Sequence, residues 1–286
     1  MSKADIHLAS SSGLQNAGGH DVPPSPIAVW LHTLSSSTAF VGLLSLILFA
    51  GLWQLSVHLF DVKEYVLPSP YAIGLVIIEK FSYIAPHTMV TLKEVLLGFF
   101  IAVAIGIPVA VMMTFIPLAE RLLYPLLIAT QAVPKIAIAP LLLIWFGFGE
   151  APKIAMATLI AVFPIIIDTS VGLRSIDPEM IRLTRSMRAS WMKTFWKVRL
   201  PVALPNVFAG LKMAITFAVI GAVVGEFVAG SEGLGYLVQA AIGSMQTVFV
   251  FAGVVILSLM GIILFLIVEG LERVFVSWGG SADAPH

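Results

Sequence analysis

The sequence predicts an all-α, polytopic membrane protein, and three observations carry that expectation. The first is composition: of 286 residues, 59% are hydrophobic and 11% charged, with a mean hydropathy of +1.00. Soluble domains carry roughly 25% charged residues, so the chain has too little polar surface to clothe a water-soluble globule. The second is run length: several apolar stretches reach about 20 residues, the length a helix needs to cross a bilayer. The third is the placement of charge, because six of the 16 Lys and Arg fall within residues 182–205 and no acid lies among them.

Taken in order, residues 1–26 (MSKADIHLASSSGLQNAGGHDVPPSP) lack the apolar core of a signal peptide. They read as a disordered tail. The following IAVWLHTL reads either as a short interfacial helix with Trp30 at headgroup depth or as ordinary linker, so 1–37 is expected to be a cytoplasmic N-terminal tail. Six spans follow within a membrane domain at 38–275, and 276–286 forms a C-terminal tail. The first span covers about 38–60 (TAFVGLLSLILFAGLWQLSVHLF) and the second about 89–114, opening MVTLKEVLLGFF. The third, about 122–146 (LLYPLLIATQAVPKIAIAPLLLIWF), contains three prolines. The fourth covers about 153–172, the fifth about 206–229 and the sixth about 248–271.

Loop charge sets the expected orientation. Residues 173–205 hold seven Lys and Arg against two acids, Asp177 and Glu179. The positive-inside rule puts this loop in the cytoplasm. With four spans before it and two after, both termini are expected on the cytoplasmic side.

The loop has helix grammar of its own. Asp177, Pro178 and Glu179 supply an N-cap, a proline at the first helical position and an acid at the positive dipole end. On a 3.6-residue wheel Met180, Leu183 and Met187 share one side, while Arg182, Arg185 and Arg188 spread over another. Ser190 caps a second short helix with an apolar stripe of Trp191, Phe195 and Val198 and with Lys193 and Lys197 elsewhere. Pro201 is expected to end that helix, and Pro205 to open the fifth span. Such a surface suits either anionic headgroups or a protein partner with an acidic-edged groove.

At this point five stretches, in order and in register, carry a resemblance: VLPSP (66–70), PKIAIAPLLLIWFGFG (134–149), FPIIIDTSVGLRSIDPEM (163–180), RASWMKTFWKVRLPVALPNVFAGLK (188–212) and GEFVAGSEGLGYLV (225–238). The chain resembles the permease subunits of bacterial ATP-binding-cassette importers, the nitrate/sulfonate/taurine type in particular. The resemblance implies a dimeric pathway in the inner membrane, two partner ATPases that hold the ATP and Mg, and a periplasmic or lipid-tethered solute-binding protein. No cofactor is then expected on this chain itself. It also implies that the basic loop docks in a cleft on the ATPase through a Glu-Ala-Ala…Gly…Leu-Pro signature. The Glu-Ala-Ala positions fall on Arg182, Leu183 and Thr184, the Gly position on Arg188, and the prolines on Leu200-Pro201 and Pro205. Together with Arg185, Trp191 and Phe195 these are the expected ATPase-coupling residues. An Arg at the Glu position reverses the charge, so the partner's cleft is expected to be more acidic than usual. An Arg at the Gly position costs roughly 1–2 kcal/mol if the turn there is left-handed.

Ionisable groups inside a membrane are candidates for function. Lys135 lies in the third span with Gln131 one turn earlier, and Pro134 and Pro140 free backbone carbonyls beside it. A cation with an amide neighbour suits an anionic solute. The alternative is a structural pairing of Lys135 with Asp168 or Glu226. Glu226, near the outer end of the fifth span, reads as a gating acid or as a salt-bridge or helix-end residue. Asp168 fits a partner for the basic loop, and Lys212 fits a snorkelling interfacial lysine.

No GxxxxGK[ST] phosphate loop, HExxH metal-ligand pair or GxSxG elbow is present, and with no cysteine, thiol catalysis and thiolate metal sites are excluded. The chain is therefore expected to be a transport subunit and not an enzyme. Two rivals stand beside this reading: an ion-coupled secondary transporter, and a non-pore scaffold coupling an ATPase to another membrane subunit. The first predicts an internal repeat and mid-membrane carboxylates.

Overall fold

Eleven helices make up the described part of the chain. The structure is a computed structural model and describes residues 38–276; the expected N-terminal tail and all but the first residue of the expected C-terminal tail lie outside them. The first helix, α1 (Thr38–Leu59), is 22 residues long. The chain divides into two units within it, between Trp53 and Gln54, and all the helices that follow belong to the second unit.

A short helix, α2 (Pro70–Glu79), starts at the VLPSP stretch. Ser69 caps it, its hydroxyl accepting from the Ala72 amide at 3.2 Å, and Pro70 occupies the first turn, where no amide is missed. Next comes α3 (Phe81–Phe115), 35 residues with Pro86 and Pro108 inside it. It begins eight residues before the expected span, because FSYIAPHT (81–88) is helical too.

The expected third span is two helices. Between α4 (Pro117–Ala132) and α5 (Lys135–Phe146) the axis bends by 100°. Val133 and Pro134 are extended there, with ψ of 126° and 104°, since a proline ring disfavours the helical conformation of the residue before it. Two lesser prolines, Pro125 and Pro140, are carried inside the two helices.

The remaining elements are α6 (Ala151–Arg174), the loop helices α7 (Pro178–Ser186) and α8 (Trp191–Thr194), then α9 (Leu200–Ala229), α10 (Leu234–Gly243) and α11 (Thr247–Phe275). One expectation is corrected at Pro201. The second loop helix does not end there, because a single π turn, Phe195–Arg199, joins α8 to α9 in one helix, Trp191–Ala229. The Leu200 amide reaches back to Phe195 O. This wider turn spares the clash between a proline ring and the carbonyl four residues earlier.

Among the described residues, α3, α6, Trp191–Ala229 and α11 are long and apolar enough to cross a membrane, and α4 with α5 makes a fifth crossing if the bent pair is one span. The apolar described part of α1, Leu44–Leu59, is shorter than a full crossing. The core lies among α3, α6 and α9, where Val95, Ala102, Ala157, Ile165, Ala214 and Ala218 are buried. Small residues set the approach. A Cβ at Gly221 of α9 would stand 2.5 Å from Ala157 Cα on α6, and one at Gly98 of α3 would stand 2.5 Å from Ala157 Cβ. Lipid offers no hydrophobic drive between helices, so close backbone packing of this kind holds them.

Candidate functional site

Three constellations stand out, and each is built by a break in regular helix. The first is the bend between α4 and α5. Pro134 caps α5, so Lys135 opens a new helix whose axis turns away from Gln131. The Lys135 ammonium donates to Gln131 Oε1 across the break, and its Nζ lies 5.9 Å from the centre of the Phe163 ring on α6. Gln131 and Pro134 are exposed and Lys135 is half-buried, while α4 buries none of its residues within the chain. The polar pair is thus presented on a bare, mostly apolar surface. Neither Asp168 nor Glu226 pairs with Lys135.

The second constellation lies at the opposite end of the bundle from the basic loop. Glu94 of α3 and Lys153 of α6 form an ion pair at 2.7 Å, with side chains 0% and 4% exposed. Glu226 of α9 is fully buried near them, within electrostatic reach of both Glu94 and Lys153. One Glu226 oxygen accepts from Thr91 Oγ1 at 2.6 Å and the other from the Gly235 amide. Thr91 in turn accepts from the Leu234 amide at 2.7 Å, and His87 Nδ1 accepts from the Gly233 amide at 3.1 Å. The first amides of α10 are thereby satisfied by side chains of α3 and α9. Gly233 has φ of +108°, and a Cβ there would collide with the Glu226 carboxyl. The GSEGLGY glycines therefore serve to let a backbone turn close over one buried carboxyl.

The third is the basic loop. Asp177 caps α7, accepting from the Glu179 amide at 2.8 Å, and Ser190 caps α8, accepting from Lys193 at 3.4 Å. Between them α7 ends in a Schellman turn: the Arg188 amide bonds Arg185 O at 2.9 Å and the Ala189 amide bonds Thr184 O at 3.0 Å. Arg188 occupies the left-handed position, with φ of +51°. The Thr184 hydroxyl bonds back to Ile181 O at 2.8 Å. Trp191 and Phe195 stack at 5.6 Å, and both meet Phe115 at the end of α3 edge-on. That contact anchors the apolar stripe of α8 to the membrane helices. On α7 two opposite faces separate: Met180, Leu183 and Met187 are exposed, while Arg182 and Arg185 line a cleft against the bundle.

Residues 102–277 match the family model of the binding-protein-dependent transport system inner membrane component. The chain belongs to that family. A probable ABC transporter permease protein of Haemophilus influenzae is 38% identical over 225 residues, 79% of this chain and 92% of the relative. The formylaminopyrimidine transport permease protein ThiX of Halalkalibacterium halodurans is 35% identical over 79% of this chain and 91% of its own. A putative aliphatic sulfonates transport permease protein, SsuC of Bacillus subtilis, is 33% identical over 85% and 88%. Among solved structures, the MetNI methionine ABC transporter in an inward-facing conformation shares the fold, with a TM-score of 0.58 at 22% identity over 67% of this chain and 95% of that one.

In this permease the candidate residues thus fall into separate places. Gln131, Pro134, Lys135 and Pro140 share the α4–α5 segment, while Glu226 belongs to the buried cluster at the far end. Leu200, Pro201 and Pro205 form the first turns of α9. Asp168 packs against Gly210 of α9 and makes no ion pair with the basic loop among the described residues. Lys212 does more than snorkel: it pairs with Glu272 of α11 at 2.6 Å. Sequence reasoning missed Thr91, Glu94 and Lys153 altogether. The available signal was charge at the heads of two apolar runs, LKEVLLG and APKIAMA, which is costly in a membrane unless paired.

Proposed function

We propose that two copies of this permease form one translocation pathway for a small anionic solute of the nitrate, sulfonate or taurine type. A binding protein delivers the solute, and a separate ATPase, docked on the 175–199 loop in the cytoplasm, drives the cycle with its own ATP and Mg. Both termini then lie in the cytoplasm of a bacterial cell, and the chain itself carries no catalytic step.

The observation that carries the reading is the Lys135–Gln131 pair at a 100° break in a crossing segment. Irregular backbone at membrane depth is tolerated only beside protein or a water-filled cavity, and a second copy covering the bare α4–α5 face supplies both. A lone ammonium held by an amide, with no carboxylate partner, attracts an anion. The sulfonate relative supports an oxyanion as cargo, whereas the formylaminopyrimidine relative widens the class to small polar heterocycles.

The docking role rests on the exposed apolar knobs Leu183, Met187, Trp191, Met192 and Trp196, which are 56–73% exposed. Arg182 points away from this face, so the apolar knobs carry the contact.

Uptake by Lys135→Met in the assembled transporter tests the pathway reading. Anion uptake is expected to fall about tenfold or more while the ATPase still co-purifies, and Lys135→Arg is expected to retain most of the rate. Normal uptake by the methionine variant overturns the role of Lys135.

A further inference from the structure

Beneath the basic loop lies an open cleft of about 380 Å³, bordered by α7, the ends of α3 and α6, and the π turn. Its charged lining is Arg174, Arg182, Arg185 and Arg199, with no acidic side chain among the lining residues. The helical period aims two of these inward. Pro178, Ile181, Arg182 and Arg185 stand at i, i+3, i+4 and i+7 on one face of α7, opposite the exposed Leu183 face.

Three of the four arginines, Arg182, Arg185 and Arg199, have no carboxylate partner among the described residues. Arg174 meets Glu120 at 2.5 Å, and its other nitrogen donates to Met113 O at 3.3 Å. Arg199 lies flat over the Phe115 ring at 4.8 Å, a contact that fixes its position and leaves its charge unmatched. Arg185 and Arg199 are close enough to repel. Thr114 also lines the wall, its hydroxyl donating to Ala110 O at 2.8 Å. Three guanidinium forks bordering one cleft, with no carboxylate partner among the described residues, are the arrangement that grips a tetrahedral oxyanion through paired N–H donors.

We propose that this cleft is a binding site for a phosphate-type oxyanion, which ties α7 to the ends of α3 and α6. The same chemistry comes from two sources, a soluble oxyanion or the headgroup phosphate of an anionic lipid. The site is separate from Lys135 and from the exposed apolar face, so it stands whether or not the pathway reading holds.

The test uses the full-length chain, purified and stripped of lipid. Inorganic phosphate is titrated in detergent; in parallel the chain is placed in phosphatidylcholine nanodiscs with and without phosphatidylglycerol. The readouts are the unfolding temperature and amide exchange across 178–186. A rise in the first and slowing of the second are expected in the wild type and in Lys193→Gln, whose lysine lies outside the cleft. Arg185→Gln/Arg199→Gln is expected to need about tenfold more ligand for half the effect, and Arg185→Lys/Arg199→Lys an intermediate amount. If the double glutamine variant does not fold, Arg185→Gln alone carries the comparison. A response to phosphate assigns a soluble oxyanion, and a response to phosphatidylglycerol alone assigns the headgroup; either supports the site. No response in either arm, an equal response in the arginine variants, or protection that appears only when the ATPase is bound overturns it.

Discussion

Arg188 occupies a left-handed turn that glycine fills without steric cost, and the Schellman hydrogen bonds of α7 hold it there. The left-handed conformation costs an L-residue about 1–2 kcal/mol, and glycine returns part of that through its greater freedom when unfolded. Arg188→Gly is therefore expected to stabilise the chain by about 0.5–1 kcal/mol, read as a raised unfolding temperature in detergent. A second residue-scale asymmetry lies in the buried cluster. Lys153 pairs with Glu94 and lies within electrostatic reach of Glu226, so removing it leaves two like groups near one another. Removing Glu94 leaves one of each sign. Breaking a buried pair typically costs about 3–5 kcal/mol. Lys153→Met is expected to reach that range and to lose most of the folded yield, whereas Glu94→Gln falls well below it. Comparing the monodisperse fraction of the two variants by size-exclusion chromatography checks the order. The caps at Asp177 and Ser190 were readable from sequence because both partners lie within three residues. The cluster was not, because Glu94 and Lys153 are 59 residues apart and nothing local says which charge each will meet.

At the scale of elements, the prolines divide into those that break a helix and those that do not. Pro134 turns a crossing segment by 100°, while Pro86, Pro108, Pro164 and Pro205 sit inside continuous helices. Sequence marks where a bend is permitted; the packing of α6 against α5 and α9 decides whether it occurs. The same holds for glycine. Gly221 is pressed against α6, and Gly261 of α11 has nothing within 4 Å of an added Cβ. Gly221→Val is expected to destabilise by about 1–3 kcal/mol through overpacking, while Gly261→Ala leaves the unfolding temperature unchanged or slightly higher. Both glycines lie in apolar helices of similar composition, so no pattern in the chain separates them before the neighbours are known.

Across the whole molecule, fold class and the position of the basic loop followed from composition and charge alone, because both are sums over many residues and tolerate local error. The junction at Pro201 did not, since a π turn leaves no mark in the apolar period. Its consequence is mechanical. Trp191 to Ala229 is one helix of 39 residues, about 58 Å long at 1.5 Å per residue. One end carries the aromatic knobs of the loop, and the other carries Glu226 and the turn folded over it. The rod's contact with α6 runs along most of its length, from Ala203 and Asn206 against Gly172 to Gly225 against Lys153. The two helices therefore move as one body, and tilting that body carries the loop end and the Glu226 end in opposite senses. Spin labels at Met192 and Phe227 should keep a constant separation within one chain through the ATP cycle. Across the two copies of the proposed dimer, the Met192 and Phe227 distances should change with opposite sign. A change of the same sign would mean the rod slides or bends, and that the motor's stroke reaches the far side by another route.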